Sequence, residues 1–338
     1  MDLDKIKSII KEGRPNISDS SLSIYAQNIR KVMGNNEPKI LKNKQHIIDF
    51  LEGKSSSTKR NYLNAILVFL QLTQNKSDKK IIRELETFRD QEQDKYLGDN
   101  EDGKISATQQ KNLVDWTEIL KVVDNVSKLI KEKNSLKKQP EQMTKTEYLL
   151  VVTYILLNLY TKLPPLRNDY SGMKVLGKQQ FKNLKISERE KGNWLVTDLK
   201  SYMKIYINNF KTQGVYDEII IETKDIPKDL RLTLNKYIIQ FNLKNDYLFK
   251  QYKSEKPISR NSITLILTSI FKKILKKNIS TTLIRKAYVS YKYNDMMKAQ
   301  QEDARVMGHS TSVQNKIYNK DIPKDNEDKK KVDKNQKG

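Results

Sequence analysis

Five side chains carry the chemistry this sequence is able to perform. Arg167 follows a double proline in "LPPLRNDY", and Lys211 sits in a polar turn in "NNFKTQG". Arg285 lies in "TTLIRKAYVS", and His309 and Tyr318, nine positions apart, close the set in "MGHSTSVQNKIYNK". Direct attack on a phosphodiester builds negative charge on the nonbridging oxygens. Two arginines answer that charge with bidentate bonds from guanidiniums that stay charged at neutral pH. Fixed donors of this kind replace a metal ion as the electrostatic stabiliser. A tyrosine can serve as the nucleophile, a lysine on an accessible turn as the acid for the leaving oxygen, and a histidine as a phosphate contact that also moves protons. Taken singly, each residue has a plain alternative. There are 17 tyrosines, and a helix-face arginine or a polar turn lysine is ordinary. Order and spacing together are what single these five out.

Composition agrees with a polyanionic partner. The chain of 338 residues has 64 Lys and Arg against 41 Asp and Glu, a net charge of +23. Such an excess concentrates nucleic acid or an anionic membrane surface around the protein. The most apolar run, Tyr148 to Tyr160, is too short to span a bilayer and contains Thr153 and Asn158, so it reads as a buried helix. The amino-terminal residues lack the basic-then-apolar order of a signal peptide. With no cysteine and 2 histidines, neither a disulfide nor a structural zinc site is expected. A soluble intracellular protein without metal or cofactor is the expectation.

The elements that must position these residues can be read from hydrophobic period. Residues 1–80 read as short helices: "SSLSIYAQNIRKVM" with caps among Ser18 to Ser21, "QHIIDFLEG" stopped by Gly53, and "SSSTKRNYLNAILVFLQLT" with Tyr62, Leu63, Ile66, Leu67 and Leu70 inward. Lys59 and Arg60, near the start of that last helix, are candidate phosphate contacts. Residues 81–105 are strongly charged and read as a linker, with a helix around "KKIIRELETF". A second domain, 106–322, opens with helices that break at Pro164 and Pro165. "NWLVTDL", "YMKIYINN" and "VYDEIIIE" then predict a small antiparallel sheet with Lys211 in its hairpin turn. Helices return in "RLTLNKYIIQF", "NSITLILTSIFKKIL", "TTLIRKAYVSYKYN" and "AQQEDARVM", and residues 323–338 read as a disordered charged tail. The fold class is mainly α with one small sheet.

In this order of boxes the sequence resembles the tyrosine recombinases, or phage-type integrases. "LYTKLPPLRNDY", "NNFKT" and "QQKNLVDW" are similar to the branch found in virophages, large DNA viruses and mobile elements. The resemblance covers about residues 106–320 and is weaker over 18–75. It implies a helical core-binding domain, a catalytic domain of the DNA breaking-rejoining fold, and a covalent 3′-phosphotyrosyl intermediate formed without metal or ATP. Arg167, Lys211, Arg285, His309 and the nucleophile Tyr318 match the family's catalytic set. It also implies double-stranded DNA as partner, a tetramer on paired sites, and action in a host nucleus or cytoplasmic viral factory. One position departs. Where the family's H-x-x-R box begins with histidine, this chain has Thr282, which can bond a phosphate oxygen but cannot accept a proton near neutral pH. The identity of the general base is therefore open.

Two other readings stay open at this level. A type IB topoisomerase shares the constellation and also lacks that first histidine, and a DNA-binding relative without catalysis would keep the cations alone. Every reading expects phosphate-dominated affinity. The logarithm of the DNA-binding constant should fall linearly with the logarithm of salt concentration, by about 0.9 per phosphate neutralised. Fluorescence anisotropy of a labelled duplex checks this, and a flat response would exclude all three.

Overall fold

The structure, a computed structural model, describes residues 1–73, 78–101, 110–213 and 218–315. The chain forms two compact units, Met1–Ser106 and Ala107–Gly338. The expected tail, and Tyr318 with it, lie outside the described residues.

Unit 1 is helical: α1 (Leu3–Gly13), α2 (Asp19–Met33), α3 (Lys44–Leu51), α4 (Ser56–Thr73) and α5 (Lys79–Glu101). Ser18 caps α2, its hydroxyl accepting from the Ser21 amide at 3.2 Å. Helix α4 is the centre. Beyond the inward face expected of it, Ala65, Val68 and Phe69 are also buried, because α1, α2 and α5 surround it. The stretch read as a charged linker is instead α5, packed along α4. Ile82, Leu85 and Glu92 bury a narrow stripe, which is why so polar a segment still folds as part of the unit.

Glu92 is the unusual member of that stripe, its carboxylate only 1% exposed. It lies 3.4 Å from the Lys59 ammonium and 3.3 Å from that of Lys95. Burial opposes its ionisation, but bonds from Ser56 and Lys95 and the charges of Lys59 and Lys95 outweigh it, and the carboxyl titrates below its usual range.

Unit 2 is built around α7 (Lys145–Lys162), whose Thr144–Glu147 capping box fixes its start. It is buried on nearly every side, with α6 (Trp116–Glu132), α10 (Lys228–Gln240) and α11 (Arg260–Leu275) against it. Between these helices runs a sheet of β1 (Lys174–Leu176), β2 (Asn193–Thr197), β3 (Met203–Ile207) and β4 (Ile219–Ile221), in that order. The expected antiparallel part is β2–β3–β4, with Leu195 opposite Ile205 and Ile207 opposite Ile219. The sheet is mixed because β1 joins β2 in parallel, and the two are linked through α8 (Lys178–Asn183) and α9 (Ile186–Arg189). Three residues carry too little periodicity to reveal such a strand. Alternation along β2 feeds two clusters, Leu195 the main core and Trp194 and Val196 a smaller one with Leu176 and Phe181.

The last long element is α12 (Thr281–Val306), one helix where the sequence reading has two. No glycine or proline interrupts it. Its first turns bury Thr281, Ile284 and Ala287, whereas residues 289–299 are exposed on all sides.

Replacing Glu92 with Gln tests the α4–α5 contact. A depressed carboxylate pKa stabilises the fold above the unfolded value, about 4.3, and loses that contribution as pH falls through the folded value. Glu92→Gln should cost on the order of 1 kcal/mol near neutral pH. The gap from wild type should close as the pH drops below about 4. Native-state hydrogen exchange of α4 and α5 amides measures both, and a pH-independent gap would refute the electrostatic account.

Candidate functional site

The segment after α7 turns sharply because Pro164 and Pro165 cannot continue a helix. It is then pinned from three sides. The Tyr160 hydroxyl, on α7, donates to the Arg167 carbonyl oxygen and lies 3.5 Å from Asn168 Oδ1. Asn168 Nδ2 donates to Thr264 Oγ1 on α11 at 2.9 Å, and Ser171 Oγ to the Ile258 carbonyl at 2.8 Å. Burial pushes the Tyr160 phenol far above its usual range, with Tyr170 and Asp169 adding to the shift, so it stays a proton donor. The charge of Arg285, on α12, acts the other way on the same phenol.

Asp169 is the centre of the site. Its side chain is nearly buried and accepts a bond from the Arg167 backbone amide. Burial raises its pKa. The charges of Arg260, Arg167 and Arg285, in that order, oppose the rise. Of the three, Arg260 is the ion-pair partner, with Nη2 3.6 Å from Asp169 Oδ1. The charges of Arg167 and Arg285, 118 positions apart in sequence, thus act on one carboxylate from a loop and a helix. The side of Arg167 away from it is open, the residue being exposed, and Arg285 is half-buried.

Lys211 is joined to this centre through Asn193 and Asn209. Asn193 Nδ2 donates to the Asp169 carbonyl at 2.8 Å and to that of Asn209 at 3.2 Å. Its Oδ1 accepts from the amides of Asn208 at 2.9 Å and Asn209 at 2.8 Å. The chain then makes a turn in which the Gln213 amide donates to the Phe210 carbonyl at 3.2 Å. Phe210 is buried, and Lys211 stands exposed at the next position. Arg260, the first residue of α11, spans the gap. Its Nη2 lies 3.3 Å from the Asn209 carbonyl, 3.4 Å from Asn209 Oδ1 and 3.6 Å from Asp169 Oδ1.

The other expected residues are elsewhere or engaged. Thr282 is exposed on α12, three positions before Arg285 and so on the same side of the helix. His309 follows a helix stop built on Gly308 at φ +73°. The Gly308 amide donates to the Arg305 carbonyl at 3.1 Å and the His309 amide to that of Ala304 at 3.0 Å, a Schellman motif. From Arg285 to Val306 the helix rises about 32 Å at ~1.5 Å per residue. The structure thus sets His309 apart from the arginines of its own chain. In unit 1, Lys59 is held by Glu92, and the Arg60 guanidinium stacks 4.6 Å above the Tyr96 ring. Both expected phosphate contacts already have partners within their own unit. The second histidine, His46, is structural, with Nε2 2.8 Å from the Val32 carbonyl oxygen.

Asp169, Asn193 and Arg260 were not legible as site residues in the sequence. Asp169 had one signal, its place two positions after Arg167. Asn193 opens a strand and Arg260 a helix, and neither position distinguishes itself before the chain is folded. Among the described residues, no group of three or more His, Asp or Glu is arranged to hold a metal ion. No helix there is long and apolar enough to cross a membrane.

No family model matches the chain. No curated protein matches it. Among solved structures it is similar to one described as the crystal structure of XerA recombinase, at 12% identity over 99% of each chain with a TM-score of 0.30. At that score the likeness carries neither fold nor function across.

Tyr160→Phe tests what holds the Arg167 loop. Losing the hydroxyl leaves the Arg167 carbonyl without its donor and should cost about 1–2 kcal/mol. In thermal unfolding that is roughly 2–4 °C per kcal/mol for a unit of this size. Exchange of the Asn168 and Asp169 amides should also accelerate, and unchanged exchange would show that the bond does not hold the loop.

Proposed function

We propose that this protein is a tyrosine recombinase that cuts and rejoins double-stranded DNA, acting as a site-specific recombinase or integrase. The convergence of Arg167 and Arg285 on Asp169 is the observation that carries this reading. One buried carboxylate among three guanidiniums leaves the site with an excess of positive charge facing outward. A phosphodiester supplies one negative charge and gains more as a fifth oxygen approaches phosphorus. Donors already in place meet that gain without reorganising.

In the reaction the Tyr318 hydroxyl oxygen attacks phosphorus, the bond to the 5′-oxygen breaks, and a 3′-phosphotyrosyl link forms. Lys211 passes a proton to the leaving 5′-oxygen. Arg167 and Arg285 bind the nonbridging oxygens, Thr282 adds a hydroxyl contact, and His309 bonds the phosphate and assists proton movement. The reverse attack by a 5′-hydroxyl rejoins the strand, with the energy of the phosphodiester conserved in the covalent link. For His309 and Tyr318 to reach the arginines of their own chain, α12 must break within its exposed stretch. Otherwise they complete the site of a second copy. The resemblance, not the geometry, is what supports a viral or mobile-element source, a tetramer on paired sites, and action in a host nucleus or cytoplasmic factory.

A nicked suicide duplex drawn from the ends of the encoding element tests the reading. Wild type should become covalently attached to DNA, and Tyr318→Phe should not. Arg167→Ala and Arg285→Ala should each slow attachment by roughly 10²–10³-fold, the cost of removing one preorganised donor. DNA binding without attachment would leave a non-catalytic DNA-binding protein. Attachment with supercoil relaxation but no two-site exchange would identify a topoisomerase.

A further inference from the structure

Arg260 is not among the residues that bear on the phosphate in this mechanism, yet it has the most specific placement at the site. Its guanidinium edge is shared between the carboxylate that holds the arginine pair and the backbone that leads into the Lys211 turn. Both Asn209 acceptors, the carbonyl and the side-chain oxygen, face the same Nη2. We propose that Arg260 is a positioning residue, which fixes the Lys211 turn relative to the arginine pair by bridging Asn209 to Asp169. This rests on the recombinase reading and deepens it.

Three features favour this role over a direct grip on the substrate. Arg260 has an anionic partner already, and the acceptors it engages belong to the residue just before the turn. Lys211 needs such a restraint, since it is exposed, next to the buried Phe210, and reaches its target from a turn. A proton donor displaced by about 1 Å from its acceptor loses much of its effect. All three oxygens lie against one nitrogen, Nη2, which the rigid guanidinium plane holds in a fixed direction; a lysine ammonium on its flexible stem is not so directed.

The test separates the leaving-group proton from everything else at the site. A suicide duplex with sulfur in place of the bridging 5′-oxygen releases a thiolate, which departs without the proton that Lys211 supplies. In the oxygen duplex the tyrosine–phosphorus bond forms as the phosphorus–oxygen bond breaks and the proton moves from Lys211 to oxygen. In the sulfur duplex the same bond forms as phosphorus–sulfur breaks and no proton passes to the leaving thiolate; on both duplexes the phenol's own proton is lost to solvent. Arg260→Ala should slow attachment to the oxygen duplex by about ten- to a hundredfold, part of the 10²–10⁴ a general acid contributes. On the sulfur duplex it should fall within about threefold of wild type, as should Lys211→Ala, which serves as the reference. Arg260→Lys should stay close to Arg260→Ala on oxygen.

An Arg260→Ala defect of equal size on both duplexes would overturn the proposal in favour of direct phosphate binding, and so would full activity on oxygen. Hydrogen exchange supplies a readout independent of catalysis. In the DNA-free protein, Arg260→Ala should speed exchange of the Gln213 amide while leaving α7 unchanged, and an unaltered turn would refute the role. If wild type attaches to neither duplex, the recombinase reading itself falls, and this proposal with it. If wild type attaches and only the Arg260 pattern fails, the reading survives alone.

Discussion

One side-chain amide holds the site together. Asn193 is buried at the start of β2, where its two N–H groups and its one carbonyl oxygen are all engaged. Both donors go to carbonyls on opposite sides, one behind Asp169 and one at Asn209. Both lone pairs of Oδ1 go to the amides that end β3. Only a carboxamide offers this pattern: aspartate has no donor, and a hydrophobic residue would take this partner from four backbone groups at once. A buried network that is fully satisfied is stiff, and a partly satisfied one is costly. The Arg167 loop and the Lys211 turn, 44 positions apart, are thereby parts of one rigid frame.

Charge is arranged on that frame with one sign in the interior and the other outside. A carboxylate as buried as Asp169 needs compensation, and compensation by three arginines is more than neutrality requires. The excess cannot spread into the interior, where α7 and α11 present apolar side chains. It therefore faces solvent at Arg167, with Lys211 exposed on the adjoining turn. Local and global electrostatics agree here, since the chain's net charge of +23 has the same sign as the charge this site turns toward solvent. In unit 1 the same logic runs inward. Glu92 is buried among Lys59, Lys95 and the start of α4, and the positive charge there is spent on folding rather than presented.

What was legible in the sequence was whatever one element decides by itself. The period of Tyr148 to Tyr160 announces the central helix, and alternation announces β2 and β3 with their turns. Arg167 and Lys211 stood out because each is next to a local signal, a double proline and a hairpin turn, and Arg285 because it falls in the box that the resemblance supplies. Segment 79–101 was misread because its stripe of buried residues is only one side chain wide. Strand β1 was invisible at three residues. Asp169, Asn193 and Arg260 are tied together by bonds that span 15 to 91 positions, and no local pattern encodes a bond of that reach.

Helix α12 is where the sequence resemblance and the fold pull apart, and the cause lies in composition. From Ser290 to Asp295 the residues are Ser, Tyr, Lys, Tyr, Asn and Asp, mostly weak helix formers, each costing up to about 0.7 kcal/mol relative to alanine. They form helix here because strong formers flank them, with Met296 to Gln301 on one side and Leu283 to Ala287 on the other. The ring contact they make with the core is Tyr291 stacked 6.2 Å from Trp116 on α6, so propensity and backbone bonds carry most of this stretch and the cost of a break there is low. Its exposed Tyr291, Met296 and Met297 add a second bias, because any arrangement that covers them gains apolar burial that the extended helix forgoes. Both terms act at the same few residues, and those residues separate Arg285 from His309.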